Sequence, residues 1–294
     1  MKPAAFEYYA PRAVDETVAL LAAHGDDAKV LAGGQSLVPL MNMRLARPRV
    51  IIDINRVRGL DRLGGDGVLR LGALVRQRAA ERSPLVASRC PLLRDALGWV
   101  GHPQIRNRGT IGGSIAHADP AAEIPAVLAA LDGEVTVRGP EGARTLRAAD
   151  LFVTYLTTAI DARELLIEVR IPALPRGAGW SWMEIARRHG DFALAGVGVV
   201  VTLRRGAIAD PRIALTGVGP TPVRAGAAER LLAGRAPSEP LWQEAADAVR
   251  AAIEPDGDLH ASADYRRHIA GVLTVRALRE ALGRVGGRRR GEAA

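Results

Sequence analysis

Residues 106–123 read RNRGTIGGSIAHADPAAE. The stretch joins a basic entry, a Thr-Ile-Gly-Gly-Ser turn, two acidic residues and a proline. The adjacent glycines Gly112 and Gly113 are free to take positive φ and to approach a ligand with no Cβ in the way. Thr110 and Ser114 place hydroxyls on either side, and successive amides in such a turn form a concave anion site. The second half reads as a helix start, with Asp119 as cap, Pro120 in the first turn and Glu123 behind it. A helix N-terminus directly after a glycine turn is suited to phosphate.

A second stretch of this kind lies upstream. Residues 29–32 read as a short buried strand that runs into Gly33, Gly34, Gln35, Ser36 and Leu37, and residues 50–54 (VIIDI) form another buried strand. The dinucleotide fingerprint GxGxxG is absent here, against a Rossmann reading. Two donor-rich glycine turns can hold the two phosphates of one pyrophosphate. Two unrelated tight turns are the other reading that the residues leave open.

Composition narrows the classes. The chain has 294 residues, 48% of them hydrophobic and 24% charged, a soluble globular balance that is too long for one small core. No apolar run reaches the roughly 20 residues of a membrane span. The opening MKPAAFEYYAPRA lacks a secretory apolar core, so the cytoplasm is the expected compartment. Cys90 is the one cysteine, which rules out an internal disulfide or a thiolate-held iron–sulfur cluster within the chain. The six histidines show no paired metal spacing, so no metal site is expected. The net charge of +8 is carried partly by Arg284, Arg288, Arg289 and Arg290 near the end, and aromatics are only 4% of the chain. That distribution argues against nucleic-acid binding.

In chain order, residues 13–24 predict a helix capped by Asp15 and stopped by Gly25. Residues 67–74 predict a strand, residues 77–87 a helix broken at Pro84, and residues 91–100 a further helix. Residues 134–138 and the segment from Thr145 predict a hairpin, and residues 165–172 (LLIEVRIP) another strand. The fold class is therefore α+β. The Pro/Gly-rich residues 172–179 read as a linker. Beyond it, strands at 180–186, 193–204, 207–210 and 212–218 and helices at 224–233, 241–252 and 262–283 predict a three-stranded antiparallel sheet covered by helices. Residues 284–294 read as a disordered basic tail.

Three ordered motifs now carry a resemblance: AGGQS at 32–36 with LMNMRLARP downstream, TIGGSIAHADPAAE at 110–123, and RRHGDFA at 187–193. Over residues 3–283 the chain resembles the FAD-binding medium subunit of the molybdenum hydroxylases, the carbon monoxide dehydrogenase and xanthine dehydrogenase family. The resemblance implies a two-subdomain FAD-binding fold of the vanillyl-alcohol-oxidase (PCMH) type over residues 1–175, divided near residue 55. A small flavoprotein C-terminal domain would follow over 176–283.

It also implies that Leu31, Ala32, Gly33, Gly34, Gln35, Ser36 and Leu37, with Thr110, Ile111, Gly112, Gly113 and Ser114, wrap the FAD pyrophosphate with amides and hydroxyls. Asp119 and Glu123 would lie near polar parts of the cofactor, Leu166 beside one of its rings, and Phe192 where relatives carry an aromatic against the flavin. Gln35 stands where relatives often have His. Simpler readings remain beside these: Phe192 as core, Asp119 as a cap, Glu123 as a first-turn carboxylate favoured by the helix dipole, and Cys90 as a small hydrophobe.

By the same resemblance, a large partner subunit holds molybdopterin and a small one holds [2Fe–2S] clusters, in a dimer of heterotrimers. FAD in this chain would pass electrons to NAD, oxygen or a quinone. No catalytic acid or base is implied for the chain. Two rivals are a self-sufficient FAD-dependent reductase of the same fold and a scaffold subunit that has lost flavin. The second is opposed by the intact Gly33, Gly34, Gly112 and Gly113.

Overall fold

The computed structural model describes residues 1–287. The chain opens with β1 (Glu7–Tyr9), α1 (Val14–His24), β2 (Ala28–Leu31), α2 (Leu37–Asn42) and β3 (Val50–Asp53). β3 is the central strand, parallel to both neighbours. Its Val50, Ile51 and Ile52 are buried, the continuous apolar run that a parallel strand covered on both faces requires. Asp15 does not cap α1. The helix starts one residue earlier, Ala13 is its N-cap with no side-chain bond, and the Glu16 carboxylate instead accepts the Arg12 amide at 2.8 Å.

The middle of the chain forms β4 (Leu63–Gly64), β5 (Val68–Gly72), α3 (Gln77–Arg82), α4 (Pro84–Arg89), α5 (Pro91–Leu97), α6 (Pro103–Arg108), α7 (Ile111–His117) and α8 (Glu123–Ala130). It continues with β6 (Glu134–Gly139), β7 (Gly142–Arg147), α9 (Ala148–Leu151), β8 (Phe152–Thr154), β9 (Thr157–Thr158) and β10 (Leu165–Pro172). Five antiparallel strands run in the order β4-β5-β10-β6-β7. Leu92, Leu93, Leu97, Ile111, Ile115 and Ile124 of the covering helices share one buried cluster with Leu69, Leu71, Val135, Val137 and Val169 of the sheet. Pro84 and Pro91 each open a new short helix, because proline lacks the amide an ongoing helix would use but suits a first position. Cys90 lies between them, fully buried, and burial pushes its thiol up to about 12.

The last part holds β11 (Gly179–Ile185), β12 (Ala195–Arg204), β13 (Ala207–Thr216), β14 (Val223–Arg224), α10 (Gly226–Leu232), α11 (Glu239–Ala252) and α12 (Ala263–Arg284). Its antiparallel sheet has four strands, not the three expected. The segments read as separate strands at 207–210 and 212–218 are one strand, β13, and the two-residue β14 adds an edge. Alternate positions of β12 serve opposite faces. Ala195, Val197, Val199 and Val201 pack under the helices, while Val200 joins the core of the middle region. On that second face a Cβ on Gly198 would lie 3.1 Å from the Trp182 ring, so glycine leaves room for the indole. Thr216 and Gly217 tie the sheet to the middle region, the Thr216 hydroxyl bonding to the Pro120 and Ala122 carbonyls (2.9 and 2.8 Å) and the Gly217 amide to the Pro120 carbonyl (2.8 Å).

Arg284 corrects the expected tail. It closes α12, pairs with Asp95 at 2.9 Å and Glu280 at 3.0 Å, and lies over the Trp180 ring at 5.1 Å. Residues 288–294 of that tail lie outside the described residues. Among the described residues no helix is long and apolar enough to cross a membrane.

Trp182 is buried at the junction of sheet and helices. Replacing it with alanine is expected to cost about 3–5 kcal/mol, read as a lower midpoint in equilibrium denaturation. Cys90 is expected to resist thiol reagents in the native chain and to react once it unfolds, checked by a thiol titration with and without denaturant.

Candidate cofactor site

The first glycine segment leaves the carboxyl end of β2, where Leu31 pairs with Asp53 of β3, and turns into α2. Of its two glycines, Gly34 has φ +75 and Gly33 does not. Gly33 is required for a different reason: a Cβ there would lie 2.6 Å from the Arg108 carbonyl oxygen and 2.8 Å from the Gly109 Cα. The first segment is therefore pressed directly against the second. A Cβ on Gly113 would also come within 3.7 Å of the Ala32 side chain.

The second segment differs from its reading as a turn. Gly112 and Gly113 are helical residues of α7, and neither has positive φ. Thr110 is the N-cap, its hydroxyl accepting the Gly113 amide at 3.0 Å. The Ile111 and Gly112 amides donate to Val75 and Ala73 (2.9 and 3.1 Å), and the Ser114 amide to the Thr110 carbonyl at 3.1 Å. Three of the four amides that a helix start usually leaves open, those of Ile111, Gly112 and Gly113, are thus used within the protein, and the Ser114 bond is the first of the helix itself. Glycine at 112 allows the helix to lie on Ala73, where a Cβ would approach to 2.7 Å. Thr110, Ile111 and Gly112 are buried and none of residues 110–114 is in the cleft lining, so what this segment can offer a ligand is the half-buried Gly113 and Ser114.

The open amides are in the first segment. Those of Gly34, Gln35 and Ser36 donate to no protein acceptor among the described residues. Gly34 and Gln35, though not Ser36, border a cleft of about 380 Å³ lined by Leu31, Ala32, Gly33, Gly34, Gln35, Val38, Pro39, Asp53, Asn55 and Arg108, a volume within the range of small-molecule sites. Amide donors beside the Arg108 cation suit an anionic group. A pyrophosphate fits this donor set, and a ligand carrying one can lie against Gly33 only because no side chain fills that space.

Asn55 and Arg76 hold the two segments together. Asn55 donates from Nδ2 to the Ala32 carbonyl (2.8 Å) and to Asp53 (2.6 Å), and its Oδ1 accepts from Arg76 Nη2 (2.6 Å). Arg76 Nη1 reaches the Arg108 carbonyl at 2.5 Å. Tyr8 donates to the second Asp53 oxygen at 2.6 Å. Burial works against the charge on Asp53, but the bonds from Tyr8 and Asn55 hold its carboxyl below the usual range. Asn55, Asp53, Arg76 and Arg108 were not singled out in the sequence. The available signal was the place of Asp53 at the carboxyl end of β3 and of Asn55 just past it, where open parallel sheets bind ligands.

The remaining sequence candidates lie away from the cleft lining. Asp119 is not the cap of α8. It closes a turn before that helix, accepting the Ala121 amide at 2.9 Å, and Ala122 is the N-cap. Leu166 on β10 is buried in the core of the middle region. Phe192 is 72% exposed on the loop between β11 and β12, so it is not a core residue.

Glu123 opens α8 and is only 7% exposed. Across the junction lies Glu184 of β11, also buried and accepting from Trp182 Nε1 at 3.2 Å. Burial raises both carboxyls. The Glu123 charge raises Glu184 further, and Asp119 raises Glu123 while its own amide and Arg106 lower it. Two such carboxyls cannot both ionise cheaply, so the pair retains a proton near neutral pH.

The FAD binding domain in molybdopterin dehydrogenase matches residues 4–174, and the CO dehydrogenase flavoprotein C-terminal domain matches residues 180–281. The chain is 43% identical to the 6-hydroxypseudooxynicotine dehydrogenase complex subunit alpha of Paenarthrobacter nicotinovorans, covering 97% of each. It is 41% identical to the carbon monoxide dehydrogenase medium chain of Hydrogenophaga pseudoflava, covering 97% of this chain and 99% of that one. A solved structure of carbon monoxide dehydrogenase from Hydrogenophaga pseudoflava, lacking the Mo-pyranopterin moiety of the molybdenum cofactor, superposes with a TM-score of 0.96 at 43% identity over 97% of this chain and 100% of that one. Quinoline 2-oxidoreductase from Pseudomonas putida 86 superposes with a TM-score of 0.91 at 36% identity, over 98% and 100%.

Fold and site define an FAD-binding oxidoreductase subunit. The chain belongs to the flavoprotein medium subunits of the molybdenum hydroxylases, the family of the carbon monoxide dehydrogenase medium chain.

Two outcomes follow from the burial pattern. A carboxyl raised in the folded state adds most stability below its ordinary value of 4.5 and loses it as pH climbs toward the folded value. Glu184→Gln is therefore expected to stabilise the chain at pH 8 by on the order of 1 kcal/mol or more and to be neutral near pH 5, compared by thermal melts at both. Phe192→Ala is expected to change stability by no more than about 0.5 kcal/mol, read from the denaturation midpoint.

Proposed function

We propose that this chain is the FAD-bearing electron-transfer subunit of a molybdenum hydroxylase. A small partner subunit with [2Fe–2S] clusters would supply electrons originating at a molybdopterin site on a large partner, and NAD, oxygen or a quinone would accept them from this chain. The assembly proposed is a dimer of heterotrimers in the cytoplasm. The observation that carries the reading is the convergence of the two glycine segments at the carboxyl end of the parallel strands. There the Gly33 backbone abuts Gly109, and the amides of Gly34, Gln35 and Ser36 are free to donate.

When bound, FAD would accept electrons one at a time and release them in pairs. The chain's own part is to bind and orient it. In this reading the segment from Leu31 through Leu37 supplies amide donors and the Ser36 hydroxyl to the pyrophosphate, with Arg108 offsetting its charge. Gly113 forms the surface it lies against, backed by the buried Thr110, Ile111 and Gly112, and Ser114 adds a hydroxyl donor. Asp119, Glu123, Leu166 and Phe192 are proposed to border the rest of the cofactor, with Phe192 at the solvent side. The domain boundaries proposed are residues 1–175, divided near 55, and 176–283.

The test is cofactor stoichiometry. The purified chain is expected to show a flavin absorption spectrum and to release about one FAD per chain on heating. In Gly33→Val the added side chain meets the Arg108 carbonyl and parts the two segments. FAD retention is expected to fall at least tenfold, with Kd measured by flavin fluorescence, while far-UV circular dichroism is preserved. A wild-type chain that neither carries nor takes up FAD would sink the proposal.

A further inference from the structure

The loop between β11 and β12 is tied down along its whole length. At its base the Leu194 amide donates to the Ile185 carbonyl at 2.8 Å, and the Leu194 carbonyl accepts from the buried Arg266 at 2.7 Å. Arg266 is held by one oxygen of Asp258 at 2.8 Å, and the other oxygen accepts the His260 amide at 2.8 Å. His260 in turn meets Arg187 of the loop, Nδ1 to Nη1, at 3.2 Å. Inside the loop the Asp191 amide closes a turn on the Arg188 carbonyl at 3.1 Å.

The tip of the loop rests on the segment that leads into α6. Gly190 has φ +91, and a Cβ on it would lie 2.5 Å from Cε1 of His102, so the imidazole lies directly on the glycine backbone. Beside it the ring of His189 stands edge-on to Trp99, with centroids 5.7 Å apart. His102 is the N-cap of α6 but makes no side-chain cap bond to that helix, which leaves its ring for the loop. The seat is itself fixed. Arg106, only 5% exposed, donates to the Val100 and Gly101 carbonyls (2.9 and 3.1 Å) and pairs with Glu81 at 3.0 Å.

Phe192 nevertheless stands in solvent on this loop, and its ring makes no aromatic contact among the described residues. An apolar ring left in water on a loop that is otherwise immobilised is preorganised to meet something outside the chain. The helix α6 relates that ring to the cleft. His102 begins the helix and Arg108, which lines the cleft, ends it. At 1.5 Å per residue the two lie about 9 Å apart along the axis. One short strut thus fixes the spacing of loop and cleft, and brings the loop within reach of an extended ligand whose anionic group sits at Arg108.

We infer that His102 and Trp99 are positioning residues: through Gly190 and His189 they seat the 186–194 loop, and so set how closely Phe192 covers the solvent side of the cofactor. This rests on the function proposed above, in which Phe192 borders FAD. With the seat removed, the loop is still anchored at Arg187 and Leu194. It swings rather than unfolds, and the ring leaves the cofactor face.

The experiment compares the full chain with the seat variant His102→Ala, His189→Ala, with Phe192→Ala, and with all three changes together. Both histidines are exposed and neither lines the cleft, so the seat variant is expected to keep its melting temperature and its FAD. Trypsin is expected to cut it after Arg187 or Arg188 about tenfold faster than wild type, followed by mass spectrometry, because cleavage tracks the open population of the loop. Phe192→Ala is expected to be cut at the wild-type rate. Iodide is expected to quench the bound flavin at least about twofold more strongly in the seat variant and in Phe192→Ala alike. The triple variant is expected to match Phe192→Ala, since the seat acts through that ring. Unchanged cleavage overturns the inference. So does faster cleavage with unchanged quenching, an additive rise in the triple variant, or loss of FAD from the seat variant alone. Cleavage reads the seat without the cofactor, so a wild-type chain that carries no FAD counts against the function proposed above, which separates the two failures.

Discussion

No side chain can be placed on Gly33. The Arg108 carbonyl and the Gly109 Cα stand where its Cβ would be, and this contact brings together two segments some 75 residues apart. Arg76 and Asn55 complete it by bonding to both sides at once. With the segments clamped, Gly34 and Gln35 line a cleft, and their amides and that of Ser36 have no protein acceptor among the described residues. A pair of ordinary turns would have closed on themselves.

The two segments divide the work in a way their similar sequences conceal. In α7 the glycines serve packing: Gly112 lies against Ala73, and Thr110 caps the Gly113 amide. Its N-terminal amides are spent inside the protein. In the first segment a positive φ at Gly34 turns the chain into α2 and leaves the amides open. The anion-binding capacity therefore rests mostly on residues 34–36 and on Arg108, which lines the same cleft.

The C-terminal sheet contributes by fixing the middle region from behind. Thr216 and Gly217 bind the carbonyls of Pro120 and Ala122, so the turn closed by Asp119 and the start of α8 keep their place. The same junction buries Glu123 opposite Glu184, and a retained proton keeps that joint from becoming doubly charged. Parting the C-terminal sheet from the middle region would expose Trp182 and the glycine-bearing face of β12 together.

Much of the fold was legible in the sequence because local chemistry decides it. Apolar runs such as VIID at β3 and LLIEVRIP at β10 read as buried strands, Pro84 breaks a helix, Pro91 opens one, and the helical period over 262–283 predicts α12. The paired glycine motifs and the RRHGDFA segment were enough to identify the family. What tertiary structure alone decided was which backbone group faces which. A glycine reads the same whether it serves a positive φ, as at 34, or a close approach, as at 33 and 112. Asn55 and Arg76 look like unremarkable polar residues until the sheet places them between two loops. The mutual effect of Glu123 and Glu184 likewise exists only across a packed interface, since charges separated by some 60 positions in sequence act on each other only when folding removes the water between them.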